Sequence, residues 1–534
     1  MNERPVSFTR RALPILLIAF ALALAGCATV GPEYETPPVS VEETWQEADD
    51  PSLTTETQDD ADWWAVFNDP LLSELVETAY DQNLTLRSAA VRILEARAQL
   101  GIAVGNLYPQ QQQASGGLVY YSKRRNDANA VLGDFDFTRA DVGVDLAWEL
   151  DVWGRLRRGV ESADAGFLAS IAAYDDVLVS LIGNVADAYT LVRTFQQRIG
   201  IANENVAIQE RSIEIADVRW RNETTTELDV QQAKTLLAST QASIPRLETG
   251  LRQARNALSV LLGVTPGELP AALDAAGPIP TAESEVAVGV PADLVRRRPD
   301  VRRAELQAAS QATRVGVAKA ELYPAFALGG SIGLATTDAS GSGGVGDTGL
   351  GDLPQSDSSF AFGGATFTWP LFNYGQLKNR VRVEDARYQQ SLVDYQNTVL
   401  RAVREAEDAM TAFVRSREEV VYRQDGETAS RRAVDLAMTQ YREGATDYTT
   451  VINTQESLLS AQEQLISVRG DVVRNLIALY KALGGGWQIR EGRPLLPEET
   501  EEEMRERTRW GRMIEPDMDR ELVPPDNIPL RPDW

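Results

Sequence analysis

Apolar positions come first as one unbroken run, Ala12 to Ala25, behind Arg10 and Arg11. Beyond it they are spaced, and the spacing has two periods. Residues from about 83 to 107, rich in Ala, Arg, Glu and Gln, predict a helix that stops at Tyr108-Pro109. Segments near 111–122 and 138–150 predict strands. In the second, Val142, Val144, Leu146, Trp148 and Leu150 alternate with Asp141, Gly143, Asp145, Ala147 and Glu149, an apolar face against an acidic one. A helix of about 65 residues is predicted from Leu156 to Trp220, where Leu181, Val185, Ala188, Val192, Phe195, Ile199, Ala202 and Val206 step by four and three, as in a coiled-coil seam. A shorter helix is predicted from about Thr226 to Leu262, with Pro245 inside it as an expected kink.

The pattern then repeats. Arg87, Ala89, Gly101, Leu107, Tyr108 and Pro109 meet Arg302, Ala304, Gly316, Leu322, Tyr323 and Pro324 at an offset of 215. Trp148, Gly154, Leu156, Tyr174 and Asp187 meet Trp369, Gly375, Leu377, Tyr395 and Asp408 at 221, and Arg221, Leu237, Leu258 and Gly263 meet Arg442, Leu458, Leu479 and Gly484 at the same offset. A period this long is a duplicated half-molecule and not a solenoid unit. Each half reads helix, two strands, long helix, shorter helix.

Lengths organise these elements. At about 1.5 Å per residue the long helix spans roughly 95–100 Å. The two shorter helices together nearly equal it, so laid end to end they flank it. It must turn back at Arg221–Thr225, and its counterpart at Gly444, so these turns form the far tip of a rod. The strands are long enough to cross a bilayer. Four strands leave open edges, which hydrocarbon forbids, so transmembrane strands require several chains to close one barrel.

Composition narrows the chemistry. The chain has 534 residues, no His, one Cys and a formal charge of −26. Without His there is no Ser-His-Asp triad and no His-ligated zinc; with a single Cys there is no internal disulfide. The acidity argues against nucleic-acid binding, which needs a basic footprint. The apolar run is too short to span a membrane and ends Leu24-Ala25-Gly26-Cys27, which resembles a bacterial lipobox. Cys27 is therefore the expected lipidation site, carrying a diacylglycerol and an acyl chain, with residues 1–26 removed as a signal peptide. The resemblance to Gram-negative lipoproteins, with Ala28 and not Asp after the cysteine, implies sorting to the outer membrane.

Longer motifs carry a family resemblance. They are Asp62-Trp63-Trp64 with Phe67-Asn68-Asp69-Pro70-Leu71, Trp148-Glu149-Leu150-Asp151-Val152-Trp153-Gly154-Arg155, and Arg296-Arg297-Arg298-Pro299-Asp300-Val301. Lys319-Ala320-Glu321-Leu322-Tyr323-Pro324, Tyr441-Arg442-Glu443-Gly444 and Lys481-Ala482-Leu483-Gly484-Gly485-Gly486-Trp487 complete the set. Together, from about residue 27 to 490, they resemble the TolC-like outer-membrane efflux proteins of the OprM/NodT lipoprotein branch.

The resemblance implies a mixed α/β membrane protein. Four strands per chain form a trimeric 12-stranded outer-membrane β-barrel, continuous with a long periplasmic α-helical coiled-coil barrel. The implied divisions are an anchor and equatorial segment at 27–82, a first repeat at 83–263, an equatorial linker at 264–297, a second repeat at 298–484, and a C-terminal segment at 485–534. It also implies partners: two further copies, a periplasmic adaptor, an inner-membrane transporter of the resistance-nodulation-division type, and outer-membrane lipid. Drugs, detergents or metal ions are the implied cargo, with type I protein secretion as the alternative. No catalytic residue, metal site or cofactor is expected, apart from the lipid on Cys27. A periplasmic gate is expected at the tip, with Asp447 as first choice and Tyr448, Arg442, Glu227 and Asp229 as further candidates. Because acidic residues also favour helix N-termini, Asp447 reads equally well as a cap. Gly341, Gly343 and Gly346 match a dinucleotide fingerprint as a string, but in a Gly/Ser-rich run between strands they fit a loop. The tail from Ile489 to Trp534, acidic and then Pro-rich, reads as a disordered or surface-draped extension.

Overall fold

The computed structural model describes residues 29–38, 41–54, 61–123, 135–281, 286–291, 297–339 and 350–521. Cys27 and the Gly341–Gly346 string lie outside them. Among the described residues there are eight α-helices: α1 Pro70–Gln82, α2 Leu84–Gly105, α3 Arg155–Arg221, α4 Glu227–Leu261, α5 Pro299–Ala320, α6 Gln376–Glu443, α7 Tyr448–Leu483 and α8 Glu498–Arg507. Four long strands, β1 Gln111–Lys123, β2 Phe135–Leu150, β3 Ala325–Ala339 and β4 Ser359–Thr368, form one antiparallel sheet in the order β1-β2-β3-β4. Leu53–Thr54 and Val286–Ala287 make a short parallel ladder beside the helices.

The helices assemble around α3, whose 67 residues extend roughly 100 Å. It packs α2 and α4 on one side and α5 and α7 on the other, and α5 and α7 in turn pack α6. The shorter helices abut end to end, and the two joints match. Asn83, the N-cap of α2, donates its Nδ2 to the Leu261 carbonyl of α4 at 2.8 Å. Arg298, the N-cap of α5, donates Nη1 to the Ala482 carbonyl of α7 at 2.8 Å. Each joint is finished by a glycine at positive φ, Gly263 (72°) and Gly484 (78°). Both pairs stand at the repeat offsets. Pro245 does not interrupt α4; it lies on the exposed side, where the Gln241 carbonyl it leaves without a helical donor is open to solvent.

The seam changes character along α3. Val185, Val192 and Ala202 are buried as the stepping predicts, but farther down the buried positions of α3 are Asn205, Gln209 and Ser212, before Ala216 joins the tip core. Asn205 Nδ2 donates to Gln462 Oε1 of α7 at 2.7 Å, and Ser212 Oγ bonds the Tyr448 hydroxyl at 2.6 Å. Asn205 and Ser212 thus find partners across the interface, as buried polar groups usually do, whereas the Gln209 amide has no partner in hydrogen-bond geometry.

Two elements escaped the sequence reading. Helix α1 has a plain start signal: Pro70 at its first position and Asp69 accepting from Leu71 N at 3.0 Å and Leu72 N at 3.3 Å. Of the two readings of the tail, the surface-draped one holds through Glu521 and the disordered one does not, because the segment packs against the rod. Arg97 of α2 donates to the Arg512 and Met513 carbonyls at 3.0 and 3.1 Å, and Ile514 is fully enclosed. Arg490 reaches Asp175 of α3 at 2.6 Å and Asp519 at 3.1 Å. Residues 522–534 lie outside the described residues.

Candidate functional site

The sheet presents two faces of different chemistry. Direct cross-strand partners share a face, so the register places Leu118, Val142, Val144, Leu146, Leu328, Ile332 and Phe367 together. Nothing among the described residues covers them: Val142, Val144 and Leu146 keep 45–52% of their surface exposed, and Ile332, Phe367 and Leu118 keep 65–69%. So large an exposed apolar face calls for lipid or another chain. The opposite face carries Asp141, Asp145, Arg139 and Ser331. Asp145 accepts from the Ser115 hydroxyl at 2.8 Å, and Arg139 pairs with Asp141 at 3.3 Å. The alternation read in β2 carries into its neighbours near the rod, whereas toward the far end of the sheet Val119, Tyr121, Phe360 and Phe362 share the acidic face; among the described residues no strand lies beyond β1 or β4.

Membrane crossing by a helix is not the better account. Among the described residues α3 is long and apolar enough, but 67% of its most apolar window is buried against its neighbours. That is the signature of a core helix.

Aromatic side chains fix the junction of sheet and rod. The indole of Trp148 donates to the Leu107 carbonyl, and that of Trp369 to the Leu322 carbonyl, each at 3.1 Å. The N-terminal segment docks at the same level. Val30 N donates to the Trp153 carbonyl at 3.2 Å, and Thr29 sits against Gly154, where a Cβ would come within 2.9 Å of the Thr29 Cα. Cys27, two residues before Thr29, lies outside the described residues.

At the other end of the rod the two turns dock on one another. The backbone closes them identically: Glu223 N bonds the Trp220 carbonyl and Thr224 N the Arg219 carbonyl, as Gly444 N bonds the Tyr441 carbonyl and Ala445 N the Gln440 carbonyl. Between the turns lies a small core of Ala216, Val230, Ala233, Ala437, Tyr441, Tyr448 and Val451. Tyr441 and Tyr448 meet edge to face at 5.0 Å. The Arg219 guanidinium lies over the Tyr441 ring at 4.6 Å and donates to the Tyr441 carbonyl. The Tyr441 hydroxyl donates to Asp229 at 3.1 Å; burial, with the Asp229 carboxylate adding to it, pushes that hydroxyl up to about 12 and keeps it a donor.

The five expected gate residues therefore separate. Tyr448 is 1% exposed and belongs to the tip core. Asp229 is half-buried and bound to Tyr441 and Thr225. Asp447, Glu227 and Arg442 are exposed. Asp447 caps α7, accepting from Thr450 N and Thr450 Oγ1 at 3.1 Å each; Glu227 accepts from Gln231 at 3.1 Å; Arg442 reaches back to Thr439 at 3.3 Å. Arg219 and Tyr441 tie the two turns together; Arg219 was not singled out by sequence, because an Arg near a turn reads as surface, and Tyr441 entered only as part of the Tyr441–Gly444 motif.

One strain is built into the tip. Glu223 holds φ at +57°, where its repeat counterpart is Gly444 at +77°. A side chain in this region costs about 1 kcal/mol relative to Gly. Glu223→Gly is expected to raise the unfolding free energy measured in urea by about that amount; an unchanged or lower value refutes the strain.

The comparisons with known proteins agree with this geometry. The family profile described as "Outer membrane efflux protein" matches residues 75–264 and 290–485. The chain is 29% identical over 478 residues to the pyoverdine export outer membrane protein OpmQ of Pseudomonas putida, covering 89% of this chain and 97% of that protein. It is 28% identical over 480 residues to the probable outer membrane lipoprotein SilC of Salmonella typhimurium, covering 89% and 99%. The solved outer-membrane channel OprN superposes with a TM-score of 0.79 at 32% identity, covering 86% of this chain and all of that one. With both its halves matched and its fold shared, the chain belongs to the outer membrane efflux protein family and is an outer-membrane efflux channel.

Proposed function

We propose that three copies of this chain close a twelve-stranded barrel in the outer membrane and a helical tunnel below it. A periplasmic adaptor and an inner-membrane pump, of the resistance-nodulation-division type, deliver small molecules into that tunnel. The observation that carries the reading is a four-stranded sheet with an uncovered apolar face and two unpaired edges, continuous with about 100 Å of helix. The name of OpmQ, an export protein for pyoverdine, supports a small-molecule cargo over protein secretion. No covalent step is assigned to the channel: the pump supplies the energy and the channel a path. Sedimentation in mild detergent is expected to give a trimer that conducts in planar bilayers; a folded monomer without conductance overturns the reading.

Anchoring follows from the N-terminus. Thr29 docks where sheet meets rod, so a lipid on Cys27 would enter the leaflet at the base of the barrel. SilC is named a lipoprotein, which supports the same modification here. Cys27→Ser is expected to yield an unacylated, poorly processed N-terminus by mass spectrometry. A wild-type chain found unmodified at Cys27 rules lipidation out.

Asp447 is proposed as the cation-attracting ring of the closed tip. Its capping bonds engage one carboxylate oxygen, and in a trimer three such carboxylates would surround a narrow mouth. Asn caps as well as Asp but carries no charge. Asp447→Asn is expected to lower cation selectivity and multivalent-cation block in planar bilayers. If both persist, Asp447 is a cap alone.

A further inference from the structure

Within the chain, one aromatic contact ties neighbouring units of the sheet together at its base. Trp153, which follows β2, stacks on Tyr323, which precedes β3, with ring centroids 4.7 Å apart and planes at 25°. Its indole also donates to the Pro324 carbonyl at 2.8 Å. Since β2 and β3 are adjacent in the sheet, the stack locks one strand pair to the next.

The repeat supplies both halves of a second such contact, and the chain does not join them. Tyr374 stands at the place of Trp153, with Gly375 (φ +84°) at the place of Gly154 (φ +76°). Tyr108 and Pro109 stand at the places of Tyr323 and Pro324. The matching indole bonds of Trp148 and Trp369 show that the two units share this local frame. Yet Tyr374 follows β4 and Tyr108 precedes β1, the two outer edges of the sheet. Tyr374 is 102% exposed beside Phe372 at 92%, whereas Trp153 is half-buried. It also holds φ at +47°, a strained conformation for Tyr, while Trp153 does not. Tyr108 keeps 39% of its surface exposed, close to the 37% of Tyr323, so it is reachable from outside the chain.

We propose that Tyr374 of each protomer stacks on Tyr108 of the next copy of this chain, reproducing between chains the Trp153–Tyr323 stack found within one. The inference rests on the trimer reading above and deepens it by naming the contact that closes the ring at the sheet–rod junction. A second copy is the occupant because the other half of the contact exists only on this chain. Aromatic pairs of this kind add specificity to strand pairing, which by itself tolerates register slips.

Cross-linking tests it. The natural sequence has one Cys, so the double variant Tyr108→Cys with Tyr374→Cys adds a defined pair of thiols. In outer membranes treated with a short bis-maleimide, the double variant is expected to give dimer and trimer bands on denaturing gels, while each single variant gives monomer. Sedimentation in detergent is run on the same protein. A trimer by sedimentation with no cross-linked ladder overturns the stack and leaves the trimer standing; a folded monomer by sedimentation overturns the trimer itself. As a second readout, Tyr374→Phe is expected to keep the wild-type temperature of trimer dissociation and Tyr374→Ala to lower it. Equal temperatures for Phe, Ala and wild type refute the stack.

Discussion

Arg520→Ala is expected to cost about 2–3 kcal/mol of stability at pH 8 and far less at pH 5. Arg520, in the C-terminal tail, places Nη2 2.7 Å from Asp164 Oδ1, and the Asp164 side chain is 1% exposed in the middle of α3's packed face. Burial pushes this carboxyl up to about 6, with the Arg520 charge opposing the shift. Neither Asp164 oxygen has a partner in hydrogen-bond geometry, so the ion contact alone offsets its desolvation. Removing one member of a buried pair leaves the other charge uncompensated. The sign with pH follows. A folded pKa above the ordinary 3.8 means the buried group favours folding in acid and opposes it as pH rises through 6. Without Arg520 the carboxyl titrates higher still, so the deficit relative to wild type opens above pH 6 and closes below it. Urea unfolding followed by circular dichroism at pH 5 and pH 8, at one protein concentration, measures this. Asp164→Asn in the same background is expected to recover most of the loss at pH 8. A deficit equal at both pH values, or untouched by Asn, shows that the tail holds the rod by packing alone.

The tail also shows where local reading fails. Glu498–Glu503 and the prolines beyond Pro516 have the composition of an unstructured extension, and the family profile stops at residue 485. What orders the segment is remote: Asp175, 315 residues from Arg490, and Asp164 for Arg520. No window of sequence contains both partners. Periodicity did better wherever burial is apolar. The helix ends at Leu261 and Leu483, the strand pair after Tyr108-Pro109, and the turn at Gly444 all fall within a few residues of their expected places, because Gly, Pro and the three–four stepping act locally. It failed along Asn205, Gln209 and Ser212, which look like surface and lie inside, since their partners sit on another helix. The same blindness placed Tyr448 at a pore when it fills the tip core; the sequence contains its spacing but not Ser212 opposite it.

Gly263→Ala is expected to destabilise the fold by about 3 kcal/mol and its repeat counterpart Gly484→Ala by about half as much. Both glycines hold positive φ, so each substitution bears a backbone cost of about 1–2 kcal/mol. They differ in what a Cβ would meet. At Gly263 it would lie 2.3 Å from the Gln82 carbonyl oxygen and 2.9 Å from its carbon, main chain at the close of α1 that cannot swing aside. Relief requires α1 to draw back from α4, which strains the Asn83–Leu261 bond holding the joint. At Gly484 the nearest atom is the Arg298 Cγ at 3.0 Å, a side-chain carbon and not main chain, and the Arg298 Cα follows at 3.2 Å. Moving that side chain still loosens its bonds to Ala482, Asp300 and Glu405, so the cost does not vanish. Paired urea melts of the two variants decide the matter. Equal losses mean that positive φ alone sets the cost; a larger loss at Gly484 means that the Arg298 network, and not close backbone contact, is what holds the rod's segments in line.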